Sequence, residues 1–245
     1  MKKTSGQSLE ATARSIRYEA LTSLAKAKRL SILALGHTQD DQAETVLLWL
    51  LRGTGTAGLA GIPPVRKSSG GIRIIRPLIA VSRKEVEDFL RGHRIAPMRD
   101  ASNRSMRFTR NRIRRELIPL LEAKYNPRLR SHLGQLAEIL REDLEFLQSQ
   151  WEEIFRAVGR VGKRGIRLDR EHLAQYPPAA RRGVLRYAVS ALQSDTQGFA
   201  QPHWLSLEKM LTNGAICALD LPHRFRARRM GQRWILLSRS GRLKA

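Results

Sequence analysis

Leu30-Ser-Ile-Leu-Ala-Leu-Gly-His-Thr-Gln-Asp-Asp-Gln-Ala-Glu-Thr-Val-Leu-Leu-Trp-Leu-Leu-Arg-Gly53 reads as an apolar strand, a Gly-His turn and a helix with an acidic first turn. Leu30 to Leu35 is a short apolar run ended by Gly36, the pattern of a buried strand in a parallel sheet. Thr38 is placed to cap the helix, with Asp41 three residues on, close to a capping box. Ala43, Val46, Leu47, Leu50 and Leu51 recur at helical spacing and predict one buried face. Asp41, Glu44 and Thr45 share another face, with His37 one turn ahead of Asp41. Polar groups therefore gather at the carboxyl end of a strand, where open α/β sheets bind ligands.

Each acid taken alone has a plain explanation, because carboxylates in a first helical turn complement the helix dipole for about 0.3–1 kcal/mol. Two adjacent carboxylates behind a Gly-His pair exceed what capping requires. A carboxylate pair beside a strand end also suits Mg²⁺ carried by a nucleotide, since that ion uses few protein carboxylates together with phosphates.

Gly36-His37-Thr38-Gln39-Asp40-Asp41-Gln42-Ala43-Glu44-Thr45, followed by Leu51-Arg52-Gly53-Thr54-Gly55 and Gly58-Leu59, resembles the GHxxDDxxET…LRGxG…GL signature of PP-loop ATP pyrophosphatases that act on tRNA. Two groups share it, the tRNA(Ile)-lysidine synthetases and the tRNA 2-thiolation enzymes. Asp100-x-Ser-Asn103 and Arg107-Phe-Thr-Arg-Asn-Arg-Ile-Arg114 resemble the DxSN…RFTRNRIR signature of the lysidine synthetases alone. Arg14-Ser-Ile-Arg-Tyr18 and Arg76-Pro-Leu78 resemble further steps of that family, and Arg17 and Tyr18 are candidate contacts. The single cysteine, Cys217, points the same way: the thiolation enzymes generally carry cysteines for sulfur relay or a cluster.

Composition narrows the partner. The chain has 245 residues, 42% of them apolar, enough for two modest domains with cores of their own. A formal charge of +23 favours a polyanion, with nucleic acid the first candidate. Aromatics are only 6%, so base stacking is not expected to be the main mode of contact. No apolar run is long enough to cross a membrane. One cysteine excludes a disulfide framework or a multi-cysteine metal site within the chain and fits a reducing cytoplasm.

Residues 8–29 predict an amphipathic helix with Leu9, Ala13, Ile16, Ala20, Leu21 and Leu24 on one face. The family's nucleotide site also uses an upstream SGGxDS loop whose N–H groups cradle pyrophosphate. Here only Thr4-Ser-Gly-Gln-Ser8 stands near that position, lacking the second Gly and the Asp. The expectation is an incomplete nucleotide-binding domain, without its first βα units, that does not bind ATP productively as written.

Beyond Gly53, three glycines and Pro63-Pro64 argue against regular structure. Val65 to Pro77 reads as a hairpin turning at Ser-Gly-Gly, with none of its residues needing a catalytic role. Ser82 and Glu85 form a capping box, followed by Val86, Phe89 and Leu90 as a buried face. From Arg104 to Arg115 there are six arginines and no acid: Arg104, Arg107, Arg110, Arg112, Arg114 and Arg115. The bland reading is a solvated basic loop. The sharper one is a phosphate-contacting segment, since the guanidinium fork matches phosphate oxygens.

Asn126-Pro127 opens a helix of about 30 residues, spanning ~45 Å. Its apolar residues run from Leu129 to Val158, and the domain boundary is placed near Asn126. Gly159 to Gly165 reads as a basic turn, Ile166 to Asp169 as an extended piece with Asp169 capping the next helix, and Pro177-Pro178 as a helix start. His203 reads as a cap or a surface residue. Ile216 to Leu221, Phe225 to Met230 and Trp234 to Ser238 read as a small terminal sheet with Arg224, Arg226, Arg228, Arg229 and Arg233 making a cationic face.

The fold expected is α/β: a partial Rossmann-like, adenine nucleotide α-hydrolase-like parallel sheet over residues 1–125, then a mainly helical substrate domain with a small terminal β-sheet over 126–245. The resemblance implies a cytoplasmic ligase that uses ATP and Mg²⁺ to join free L-lysine to the wobble cytidine of a CAU-anticodon tRNA(Ile), and it allows a homodimer. Alternatives are a non-catalytic tRNA-binding remnant and a 2-thiolation enzyme. On this reading His37, Asp40, Asp41 and Glu44 are candidate catalytic residues, with Asp41 holding Mg²⁺. Gly36, Arg110, Arg112 and Arg114 are assigned to ATP phosphates, and Arg52, Arg104, Arg107 and Arg115 to tRNA.

Overall fold

The computed structural model describes residues 9–68, 71–98, 108–193, 198–213 and 215–239. Arg104 and Arg107, together with Asp100 and Asn103, lie outside the described residues. The chain divides into two compact units, Met1–Leu144 and Glu145–Ala245.

In the first unit, α1 (Leu9–Ala27) leads into β1 (Ile32–Ala34) and α2 (Gln39–Leu51). A short α3 (Thr56–Leu59) and the hairpin β2 (Val65–Lys67) and β3 (Arg73–Ile75) follow, then α4 (Arg83–Gly92). The three strands run in the order β1-β3-β2. β1 is parallel to β3, with Ile32 opposite Arg73 and Ala34 opposite Ile75, and β2 is antiparallel to β3. The parallel pair puts the residues after β1 and after β3 at the same end of the sheet. The arginine-rich segment is one helical run: α5 (Thr109–Arg112), a π turn (Ile113–Leu117) and α6 (Ile118–Lys124). It packs Ile113 and Ile118 against Ala43, Val46 and Leu47 of α2. Leu133 and Ala137, from the first part of α7 (Leu129–Val158), close this core. Each large aliphatic side chain buried there contributes roughly 1.5–3 kcal/mol.

Several expectations are corrected here. Leu50 and Leu51 are 55% and 63% exposed, so the buried face of α2 ends at Leu47. Ile16 and Leu24 of α1 and Leu30 and Ile32 about β1 are exposed as well. Helical or strand spacing fixes which residues share a face, but not whether anything covers it. α4 keeps its capping box, with Ser82 N–H and hydroxyl both donating to Glu85, yet buries none of its residues. Phe89 stacks on His93 instead of entering a core. The Gly-rich loop after α2 contains the single helical turn α3. Its end is clamped by the buried Gln42, whose amide accepts from Ile62 N–H (2.6 Å) and donates to Ile62 O (3.3 Å). Gly61 has φ +65°, and a Cβ there would sit 2.6 Å from that amide oxygen, so glycine is required.

In the second unit the last turns of α7 precede β4 (Gly159–Gly162), β5 (Gly165–Asp169), α8 (Arg170–Ala174), α9 (Pro178–Gln193) and α10 (Gln201–Thr212). β6 (Ala218–Leu221), β7 (Phe225–Met230) and β8 (Trp234–Arg239) complete an antiparallel five-stranded sheet in the order β4-β5-β8-β7-β6. The terminal sheet thus also recruits Gly159–Gly162, read from composition as a turn but paired with β5. One sheet face sends Ile166, Leu168, Phe225, Ala227, Ile235 and Leu237 into a core with Val184, Leu185, Ala188, Leu207 and Leu211 of the helices. The division between the two compact units falls within α7, and the expected boundary is near Asn126, where that helix begins. The reason is that Leu133 and Ala137 belong to the core of α2.

Candidate functional site

Gly36, His37 and Thr38 follow β1, and Arg76 follows β3, so the parallel pairing brings His37 and Arg76 together. Thr38 N–H and hydroxyl donate to Asp41 Oδ2 at 3.0 and 3.2 Å, which is the expected capping interaction. Thr45 turns its hydroxyl back onto Asp41 O (2.7 Å) and so serves its own helix.

Asp41 and Glu44 meet two arginines from the basic run. Arg110 Nε–H donates to Glu44 Oε2 (2.9 Å) and Arg110 Nη2 to Asp41 Oδ1 (3.1 Å). Arg114 forks onto both oxygens of Glu44, Nε at 2.5 Å and Nη2 at 3.0 Å, and lies 3.5 Å from Asp41 Oδ1. Glu44 is almost fully buried, its side chain 2% exposed, whereas the side chains of Arg110, Arg114 and Asp41 keep 18%, 25% and 22%. Burial opposes the charge on Arg114. The hydrogen bonds to Glu44 and the charges of Glu44, Asp41 and Asp40 outweigh it and hold the guanidinium protonated beyond its ordinary range. The π turn that carries Arg114 is a local irregularity common at functional sites.

Asp40 faces elsewhere. It accepts from Arg83 N–H at 2.7 Å and pairs with Arg130 Nε at 2.9 Å, and Arg130 also binds Glu122. Asp40, Glu44, Arg83, Arg114, Arg115 and Arg130 line a cavity of about 270 Å³. Small-molecule sites usually measure about 300–1,000 Å³, so this cavity suits an anionic fragment better than a whole nucleotide. Two carboxylates against four guanidiniums leave it positive.

The structure therefore joins Asp41, Glu44, Arg110 and Arg114 in one lattice, adds Asp40 and Arg115 at an adjoining cavity, and leaves Arg112 exposed near Thr109. Gly36 has open space where a Cβ would be. Arg52 is exposed, its guanidinium 5.5 Å from the Trp49 ring. The donor set does not fit a resident magnesium ion: the oxygens of Asp41 and Glu44 already accept from arginine and Thr38, and Asp40 is similarly engaged. Among the described residues no group of three or more His, Cys, Asp and Glu side chains is clustered for a metal.

Sequence reasoning missed Arg76. It is 3% exposed and donates from Nε to His37 Nδ1 (3.3 Å), from Nη1 to Pro63 O (2.6 Å) and from Nη2 to Tyr18 Oη (3.4 Å). Two signals pointed to it: the resemblance of Arg76-Pro-Leu78 to a family step, and its place directly after the buried Ile72 and Ile74.

In the second unit, the sheet face opposite the core carries Arg160 opposite Arg167, Arg167 opposite Leu236, and Leu236 opposite Arg228. Arg167 and Arg233 lie 5.8 and 5.4 Å from the ring of Trp234. Of the five arginines expected to form a cationic face, Arg226 and Arg228 are on this outward face, while Arg233 is tied to Asp169, Arg229 donates to Gln232 Oε1 (2.6 Å) and Arg224 lies in the turn before β7. His203 caps α10, its Nδ1 accepting from Ala200 N–H at 2.9 Å.

Residues 1–121 match the PP-loop domain model. A tRNA(Ile)-lysidine synthase of Symbiobacterium thermophilum is 41% identical over 78% of this chain and 41% of its own length. One from a Nostoc species is 36% identical over 78% of this chain and 59% of its own, and one from Caldanaerobacter subterraneus is 33% identical over 93% and 48%. The chain spans about half the length of these curated relatives. Among solved structures, the U34-tRNA thiolase NcsA from Methanococcus maripaludis with its 4Fe-4S cluster is 19% identical. It covers 58% of this chain and 47% of that chain at a TM-score of 0.46, too distant to bear on function. Among the described residues no helix is long and apolar enough to cross a membrane. Residues 1–121 thus match a PP-loop domain, and over most of its length the chain is similar to tRNA(Ile)-lysidine synthases.

Proposed function

We propose that this chain takes part in ATP-dependent ligation of lysine to C2 of the wobble cytidine in a CAU-anticodon tRNA(Ile), in the cytoplasm. ATP adenylates the C2 oxygen with release of pyrophosphate. The ε-amine of free L-lysine then forms the new C–N bond as the C2–O bond breaks, AMP leaves, and the amine gives up a proton. The likeness to lysidine synthases across most of the chain carries this reading.

The geometry supports a division of labour. Asp41 and Glu44 brace Arg110 and Arg114, so that these guanidiniums stand preorganised in the site; fixed charges of this kind stabilise developing charge without reorganising during reaction. Arg83, Arg115 and Arg130 at the positive cavity bind an anionic group, a phosphate or the carboxylate of lysine. His37, behind Gly36 at the strand end, contacts the nucleotide or the adenylated base. The arginine face of the five-stranded sheet supplies backbone contacts to tRNA.

The test is ATP–pyrophosphate exchange together with mass analysis of nucleosides from CAU-anticodon tRNA(Ile) incubated with ATP and lysine. It is run on this chain and on one extended by a relative's SGGxDS-bearing segment. Lysidine in either supports the proposal. Tight tRNA binding with neither exchange nor lysidine in both forms indicates a binding remnant, and lysine-independent sulfur incorporation indicates a thiolation enzyme; either result overturns it.

A further inference from the structure

We infer that Arg76 is a positioning residue that fixes His37 as the tautomer protonated on Nε2, making this histidine a hydrogen-bond donor in the site and not a proton acceptor. The inference rests on the reading of His37 as a site residue and goes beyond it by assigning the proton.

A guanidinium has five N–H donors and no acceptor. Arg76 Nε–H can therefore meet His37 Nδ1, at 3.3 Å, only if Nδ1 offers its lone pair. A histidine whose Nδ1 accepts carries its proton on Nε2, because which ring nitrogen is protonated follows from the partner of the other. Arg76 has no freedom to withdraw from this contact. It is 3% exposed, and its other two nitrogens are bonded to Pro63 O and Tyr18 Oη. Its backbone N–H is bonded to Pro64 O at 2.8 Å. Tyr18 is held in turn, with the Arg66 guanidinium 4.8 Å from its ring centre. Three segments thus converge on one side chain: α1 through Tyr18, the Pro63-Pro64 loop, and the end of β3.

The chemical consequence is specific. With Nε2 protonated, His37 can donate to a phosphate oxygen or to the C2 oxygen of the base, where negative charge collects as the C2–O bond breaks. It cannot take the proton that lysine's amine releases while that tautomer persists, so that proton goes to another acceptor, solvent included.

The experiment needs neither ATP nor tRNA. The full chain is labelled with ¹⁵N-histidine, and two-bond ¹H–¹⁵N correlations are recorded at pH 8, with His37 identified by the signal lost in His37→Gln. The wild-type protein is expected to show the pure Nε2–H pattern at His37; an Nδ1–H pattern or an imidazolium overturns the inference at once. In Arg76→Met the two nitrogen shifts are expected to move toward each other as the Nδ1–H population rises roughly tenfold, the bias expected from one charge-assisted hydrogen bond. Arg76→Lys, which keeps a cationic donor, is expected to recover part of the pattern. A folded Arg76→Met protein with an unchanged spectrum overturns the inference, and if that variant does not fold the wild-type spectrum still decides. A wrong tautomer with lysidine formed sinks this inference alone, whereas the expected tautomer without lysidine sinks only the proposed function.

Discussion

Glu44→Gln isolates the arginine lattice with almost no change in shape. The carboxylate is 2% exposed and accepts three hydrogen bonds, one from Arg110 and two from Arg114. The substitution keeps one acceptor oxygen, places an amide against a guanidinium, and leaves two cations facing Asp41 alone. Removing one partner of a buried pair costs about 3–5 kcal/mol, because the other charge stays buried and uncompensated. Here the arginine side chains retain 18% and 25% exposure, so water relieves part of that penalty and about 2–4 kcal/mol is expected. For a unit of this size each kcal/mol lowers the midpoint by roughly 2–4 °C, so thermal unfolding followed by circular dichroism is expected to shift down by about 5–15 °C. Glu87→Gln is the control: its pair with Arg83 is 55% exposed on both sides, and the loss is expected to stay within about 0.5 kcal/mol. The contrast is expected to survive raised salt, since buried pairs are poorly screened. Equal small losses for the two variants would refute the claim that Glu44 organises the basic segment.

Three further outcomes are expected. Arg167→Glu with Arg228→Glu, on the outward face of the five-stranded sheet, should weaken binding to RNAs of any sequence and lower the salt slope by roughly 1.5–2; an unchanged slope in fluorescence anisotropy would remove this face from the RNA interface. The second unit should lose stability in acid. Burial raises the pKa of Asp169, but the His172 N–H and Arg233 outweigh it, and burial of Glu208 is likewise outweighed by Arg182 and Arg181, so both folded values lie below the ordinary 3.8 and 4.5. A depressed folded pKa means stability that is complete above those ordinary values and is lost as pH falls through the folded ones. Melting curves should drop below about pH 4.5, and less steeply in Asp169→Asn. Gly183→Ala in α9 would gain up to about 1 kcal/mol in helix propensity. Its Cβ would lie 2.1 Å from the Trp151 ring, however, and overpacking of this kind costs about 1–3 kcal/mol, so a lower melting temperature is expected.

What was legible in the sequence follows the range of each interaction. Thr38 with Asp41 and Ser82 with Glu85 are contacts three residues apart, and both capping boxes form as read. Asp169 and the Pro178 helix start are equally local. The partners of Asp41 and Glu44 come from 66 to 73 residues away, and no periodicity announces that Arg110 and Arg114 neutralise them. The acids therefore looked available for Mg²⁺ and the arginines for phosphate. The partner of Arg76 was illegible for the same reason, its contact with His37 spanning 39 residues. Gly159 to Gly162 was misread because glycine composition signals a turn, while the pairing with β5 that makes it a strand is set by tertiary context.

The pairing of acids with arginines also changes what each substitution in the site can mean. On the proposed function, Asp41 and Glu44 act through Arg110 and Arg114, so loss of activity on replacing either acid reports a displaced guanidinium before it reports a missing base or metal ligand. Arg115 and Arg83 differ: both line the positive cavity, and neither is braced by Asp41 or Glu44. An arginine held by carboxylates offers an arriving anion only the N–H groups those carboxylates leave unused, and it keeps its place when the anion departs. An arginine outside the lattice can swing onto the anion but must lose side-chain freedom to do so. The arrangement thus pairs a rigid cationic wall, Arg110 and Arg114, with adaptable cations at its edge. Such a pairing suits a site that holds an anionic group and then releases it.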